Sequence, residues 1–139
     1  MILTKEQTAE ILPQKTPFVM VDNLVTASLE GFTSIFEVQE DNIFFINGKL
    51  LEPALIENIA QTVAAGYGYI SQQEGGDPKI GFIGSIAKLQ IHGLPVIGDE
   101  ISTTVKQQYN FENIYLIKGE NYANGKLLVE CEMKIVVQE

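Results

Sequence analysis

Apolar and polar residues alternate along most of this chain, and one long segment breaks the rhythm. Phe32 to Gln39, Glu100 to Phe111, Ile114 to Tyr122 and Lys126 to Val137 show the period of two expected of half-buried strands. Phe18 to Val25 is a β-branched and aromatic run that predicts a further strand. Lys79 to His92 predicts a long one, weakened by Gly81 and Gly84. Ala123-Asn124-Gly125 joins the last two strands, Asn-Gly being the strongest short hairpin signal. Thr4 with Gln7 three residues on forms a capping box and opens a short helix to about Leu12, which Pro13 ends. Residues 40 to 52 sustain no period and read as irregular.

The exception is Leu51 to Ile70, which reads as a helix apolar nearly all round and therefore buried in a core. Pro53 suits its first position, where a missing N–H costs nothing. Gly75-Gly76-Asp77-Pro78 stops it. About twenty residues give roughly 30 Å of helix, enough to cross a small domain. Six strands, mostly antiparallel, with one long buried helix predict an α+β fold in which a sheet wraps the helix.

Composition narrows the function. At 139 residues, without a repeat or linker, the chain is expected to be one domain over residues 1–139. The formal charge of -9 comes from 18 acids against 9 bases, every base is Lys, and no basic stripe exists. That excludes nucleic acid and disfavours anionic membranes as partners. The longest apolar segment contains Glu57, Asn58 and Gln61 and is no comfortable membrane span. With one cysteine, Cys131, and no secretory signal, a reduced, cytoplasmic location is expected. No metal-ligand cluster, phosphate loop or serine elbow is present, so neither metal nor cofactor is expected.

Candidate chemistry gathers at the odd carboxylate. Charges are seldom buried without a partner, so Glu57 either reaches a cleft or is held for chemistry. Gln61 lies four residues on, on the same helix face, where it can orient that carboxylate. Free amides of the first turn, around Ala54, Leu55 and Ile56, would offer a thioester carbonyl an oxyanion site. Glu57 beside them would serve as general acid or base. The bland alternative is a helix carboxylate favoured near an N-terminus, its tip in solvent. Asn47, Gly48 and Lys49 precede the helix, and Lys49 could approach an anionic ligand. His92, the one imidazole, sits near a strand end and reads more readily as a surface residue. Asp22 and Asp99 read as structural, and Cys131 as a core thiol.

These segments resemble the hot-dog-fold 3-hydroxyacyl-acyl carrier protein dehydratases over nearly the whole chain. Leu12-Pro13-Gln14 and Pro17-Phe18 through Asp22 match the family's opening Leu-Pro-His and Pro-Phe-aliphatic run. Glu57-Asn58-Ile59-Ala60-Gln61 matches its Glu-x-x-Ala-Gln motif, and Pro95-Val96-Ile97-Gly98-Asp99 resembles its Pro-Val-x-x-Gly-Asp turn, one residue shorter. The nearest flavour is the divergent dehydratase-like proteins of aryl polyene and flexirubin-type pigment clusters. The resemblance implies a hot-dog dimer with its site at the interface, acting on acyl carrier protein or CoA thioesters carried into a tunnel. A homodimer is expected, with a heterodimer beside another hot-dog protein as the alternative. Two departures stand out: Gln14 replaces the histidine of Leu-Pro-His, and Asn47-Gly48-Lys49-Leu50 replaces the loop that carries the family's catalytic histidine. Lys49 or His92 would have to substitute. Three functions follow from the resemblance: a dehydratase using Glu57, a non-catalytic acyl-binding partner subunit, and a thioesterase in which a helix carboxylate activates water.

Overall fold

In the computed structural model, residues 1–76 and 81–138 are described. The capping box closes as expected: Gln7 N–H donates to Thr4 Oγ1, Thr4 N–H to Gln7 Oε1, and helix α1 runs Lys5–Ile11. Strands β1 (Asn23–Ala27) and β2 (Gly31–Glu37) form a hairpin. A two-residue pair, β3 (Phe45–Ile46) and β4 (Lys49–Leu50), precedes the long helix α2, Glu52–Gln73. Strands β5 (Gly81–Ile91), β6 (Glu100–Phe111), β7 (Ile114–Ala123) and β8 (Lys126–Val137) follow. The large sheet has the order β1-β2-β6-β7-β8-β5, every pairing antiparallel. Helix α2 packs on this sheet, touching every strand of it. This is the α+β arrangement that the strand pattern predicts.

Why the sheet accepts the helix follows from the inward positions. Phe32 and Phe36 on β2, Ile101 and Val105 on β6, Ile117 on β7, and Val129, Cys131, Met133 and Ile135 on β8 are buried. They form two apolar clusters with Leu55, Ile59 and Val63 of the helix. Between the clusters lies a polar belt. Ser34 sits between Phe32 and Phe36, Thr103 between Ile101 and Val105, and Asn121 beyond Ile117, all buried. Asn58 on the helix accepts from Asn121 Nδ2 (2.8 Å) and from Thr103 Oγ1, while Thr62 meets Ser34 at 2.7 Å. Apart from Asn121 Oδ1, which is buried without a partner, these groups satisfy one another, and the belt pins the helix in one register on the sheet. Close approach is also secured by glycine: a Cβ at Gly119 would stand 2.3 Å from Ile59, and one at Gly66 2.2 Å from the Phe32 ring.

Three sequence expectations need correction. Phe18 to Val21 is not strand, and β1 begins at Asn23. Its backbone is bonded to helix side chains instead: Met20 N–H donates to Gln61 Oε1 (2.6 Å) and Met20 C=O accepts from Asn58 Nδ2 (2.6 Å). A β-branched run therefore loses its ladder to two amides of α2. Residues 40 to 52 are not wholly irregular, because Asn47 and Gly48, at φ of 53° and 83°, turn β3 back on β4. Pro53 takes the second helical position, with Glu52 the first. The strand expected from Lys79 to His92 is described from Gly81; Lys79 and Ile80 lie outside the described residues, as do Asp77 and Pro78 of the helix stop.

Candidate active site

Glu57 on α2 is half-buried. Two cavities meet there. The larger, about 710 Å³, follows α2 through Ala60, Ala64, Tyr67, Gly68 and Ser71 to Glu74. These positions recur at helical spacing, so one face of α2 floors a groove of roughly 26 Å at 1.5 Å per residue. Phe82 and Ile83 of β5, Tyr115 of β7, and Ile135 and Val137 of β8 make its other walls. The smaller, about 410 Å³, is lined by Lys15, Phe18, Phe44 and Pro53. Gln14 and Glu57 line both cavities. These two side chains mark where the cavities adjoin.

The carboxylate is positioned by its neighbour. Gln61 Nε2 donates to Glu57 Oε1 at 3.2 Å and to Phe18 C=O at 2.8 Å, while its Oε1 accepts from Met20 N–H. Gln61 is fully buried, so a rigid amide fixes one carboxylate oxygen. Further along the groove, Tyr67 donates its hydroxyl to Gln107, meets Phe32 edge-on and lies tilted against Tyr115, with ring centroids 4.8 Å apart in each pair. Burial first, and the adjacent Tyr115 second, raise the Tyr67 pKa well above the ordinary phenol range. It stays a protonated donor in the groove wall.

The other expected site residues lie elsewhere. Ala54 and Leu55 are fully buried in a core cluster and line neither cavity. The Ala54 amide is not free, because it donates to Leu51 C=O at 3.1 Å. Asn47 and Gly48 form the exposed turn between β3 and β4, Lys49 opens β4 and bridges to Val96, and none of the three lines either cavity. His92 is paired with Glu130, Nε2 to Oε2 at 3.0 Å, and is likewise outside the linings. Asp22 accepts from Glu37 N–H and lies 3.7 Å from Lys5, and Asp99 accepts from Val96 N–H, both structural as read. Burial pushes the Cys131 thiol up to about 11, as befits a core residue. Gln14 is the wall residue that sequence reading noted only as a departure. Its approach to Glu57 is set by the loop after α1, which no local pattern reports. Among the described residues, no group of three or more metal-ligating side chains is present and no helix is long and apolar enough to cross a membrane.

A long helix wrapped by an antiparallel sheet, with a carboxylate on that helix opening into a groove, defines a hot-dog protein. Residues 6–139 match the family described as "ApeP-like: ApeP dehydratase", and the chain belongs to that family. It is also similar to the 3-hydroxyacyl-[acyl-carrier-protein] dehydratase FabZ of Campylobacter jejuni, 25% identical over 141 residues that cover 94% of each chain. Among solved structures, a chain of "The Dehydratase Heterocomplex ApeI:P from Xenorhabdus doucetiae" superposes with a TM-score of 0.89 at 16% identity, covering 100% of this chain and 93% of that one. Cj0977, a sigma28-regulated virulence protein of Campylobacter jejuni, gives 0.72 at 10% identity, over 95% and 96%. At these identities the structural likeness speaks for the fold.

Proposed function

We propose that Glu57 is the acid–base group of a dehydration that converts a 3-hydroxyacyl thioester into the 2-enoyl thioester. The reaction class follows from membership of a dehydratase family, with the acyl group linked to an acyl carrier protein. One observation carries the residue assignment: Glu57 stands at the wall shared by two cavities, one oxygen held by Gln61. The smaller cavity receives the pantetheine arm and the larger the acyl chain, so the reacting carbons pass the carboxylate. Glu57 takes the α-proton, the electron pair forms the carbon–carbon double bond, and the carbon–oxygen bond to the β-hydroxyl breaks. The same proton is then delivered to the departing oxygen, which leaves as water, and the carboxylate is restored. One group can so replace an acid and a base, which suits linings without histidine among the described residues.

A second hot-dog chain is expected to complete the assembly. Strand β5 lies at the sheet edge and exposes Phe82, Ile83, Ile86, Leu89 and Ile91. A long apolar edge invites pairing with another strand. That partner is either a second copy or, as in the neighbour described as a heterocomplex, a different chain; the second case supports the reading in which this chain only binds acyl groups. The resemblance of the Glu57–Gln61 motif and its flanks to aryl polyene and flexirubin-type proteins supports, as part of this proposal, a polyene-building pathway in the cytoplasm. The test is product chemistry on 3-hydroxyacyl-pantetheine. Appearance of the enoyl chromophore, without free acid or thiol, supports dehydration; thiol release would make the protein a thioesterase and end this reading.

A further inference from the structure

Of the helix amides expected to polarise a thioester carbonyl, Ala54 N–H is closed on Leu51 C=O, and neither Ala54 nor Leu55 lines a cavity. Some donor must face the junction if an α-proton is to be removed there, because charge developing on the carbonyl oxygen needs a hydrogen bond. The polar groups nearby are mostly committed. Gln61 is engaged at both ends of its amide, and Lys15 Nζ donates to Ala9 C=O and Leu12 C=O, each at 3.2 Å. Gln14 is different. It is half-buried, it lines both cavities with Glu57, and its Oε1 is shut away from solvent with no hydrogen-bond partner. Among the described residues, no hydrogen bond engages either end of its carboxamide, so its Nε2 donors are uncommitted. An unpaired buried acceptor opposes folding and calls for a reason.

We infer that Gln14 is a substrate-binding residue whose Nε2 donates to the thioester carbonyl, opposite Glu57, and so stabilises the enolate-like charge as the α-proton leaves. This rests on the dehydratase reading of the site. It assigns to the loop after α1 the task that the first turn of α2 leaves undone. The carbonyl stays bound to carbon throughout; Gln14 gives a hydrogen bond and no proton.

The experiment uses octanoyl-pantetheine with an isotope-labelled carbonyl, which lacks a β-hydroxyl and cannot be dehydrated. Binding to the full chain is measured by titration, and the carbonyl stretch of the bound probe by difference infrared spectroscopy. The unsubstituted protein should lower the stretching frequency relative to water. Gln14→Met and Gln14→Leu should bind the probe within about threefold yet lose that downshift, and their kcat on the 3-hydroxyacyl thioester should fall by roughly a hundredfold, KM little changed. Neither should melt at a lower temperature, because no hydrogen bond from Gln14 Oε1 is sacrificed. An undiminished downshift in a folded variant, or none in the unsubstituted protein, overturns the inference. Loss of all probe binding by a folded variant overturns it too, since Gln14 would then shape the cavity. Failure of the unsubstituted chain to form enoyl product is a different result: it removes the dehydratase reading, while the infrared shift still reports whether Gln14 meets a carbonyl.

Discussion

Replacing Gln61 by leucine tests how the fold and the site are joined. In the native protein this amide satisfies Met20 N–H at 2.6 Å and Phe18 C=O at 2.8 Å, and it holds Glu57 at 3.2 Å. Leucine is of similar volume but answers none of them. Two backbone groups in or near the core lose their partners, at about 1–3 kcal/mol each. Extra apolar burial offsets roughly 1 kcal/mol. The net loss should be about 3 kcal/mol, a fall of roughly 10 °C in Tm for a chain of this size. Urea unfolding followed by circular dichroism measures it, with Glu57→Gln as the companion variant. That second change touches a half-buried side chain and should alter stability by less than about 1 kcal/mol. A Gln61→Leu protein within about 0.5 kcal/mol of the parent would refute the claim that these amide bonds hold the Phe18–Met20 segment to the helix.

Further outcomes follow from packing and burial. Gly66→Ala should destabilise by about 1–3 kcal/mol in spite of alanine's better helix propensity, because the new methyl meets the Phe32 ring at 2.2 Å; thermal melting reads it. The raised Cys131 pKa stabilises the folded chain below the unfolded thiol's value of 9.0, and that contribution is lost as pH rises through about 11. Stability should therefore fall across that window in the parent more steeply than in Cys131→Ala, and maleimide should label the thiol only on unfolding. Ile86→Lys, on the exposed edge strand, should shift the protein to monomer in sedimentation equilibrium; an unchanged mass would place the partner elsewhere.

Much of the fold was legible because its signals are local. The Thr4–Gln7 capping box, the bounds of β6 and β8 and the Asn124-Gly125 hairpin all stand as read. The same dipeptide at Asn47-Gly48 went unread, because its two strands are each only two residues long and show no period. Phe18 to Val21 looks like a strand since its side chains are β-formers; its true partners, Asn58 and Gln61, lie some forty residues away. The polar belt was also hidden. Asn121 and Thr103 are polar residues in alternating strands, and nothing local announces that Asn58 is laid across them. At the site, Glu57 and Gln61 could be paired from a spacing of four on one helix. Gln14 could not, because its place opposite Glu57 depends on how α1 and its loop pack against α2.

The central claim is that Glu57 moves the proton in the dehydration. Glu57→Gln keeps size and hydrogen bonding but cannot shuttle a proton, so it isolates that role. Measured with 3-hydroxyacyl-pantetheine, alone and with any hot-dog partner that co-purifies, enoyl formation should fall by at least about a hundredfold, while probe binding and melting temperature stay close to the parent's. Enoyl formation at the parent's rate would contradict the account and leave this chain as the acyl-binding half of someone else's active site.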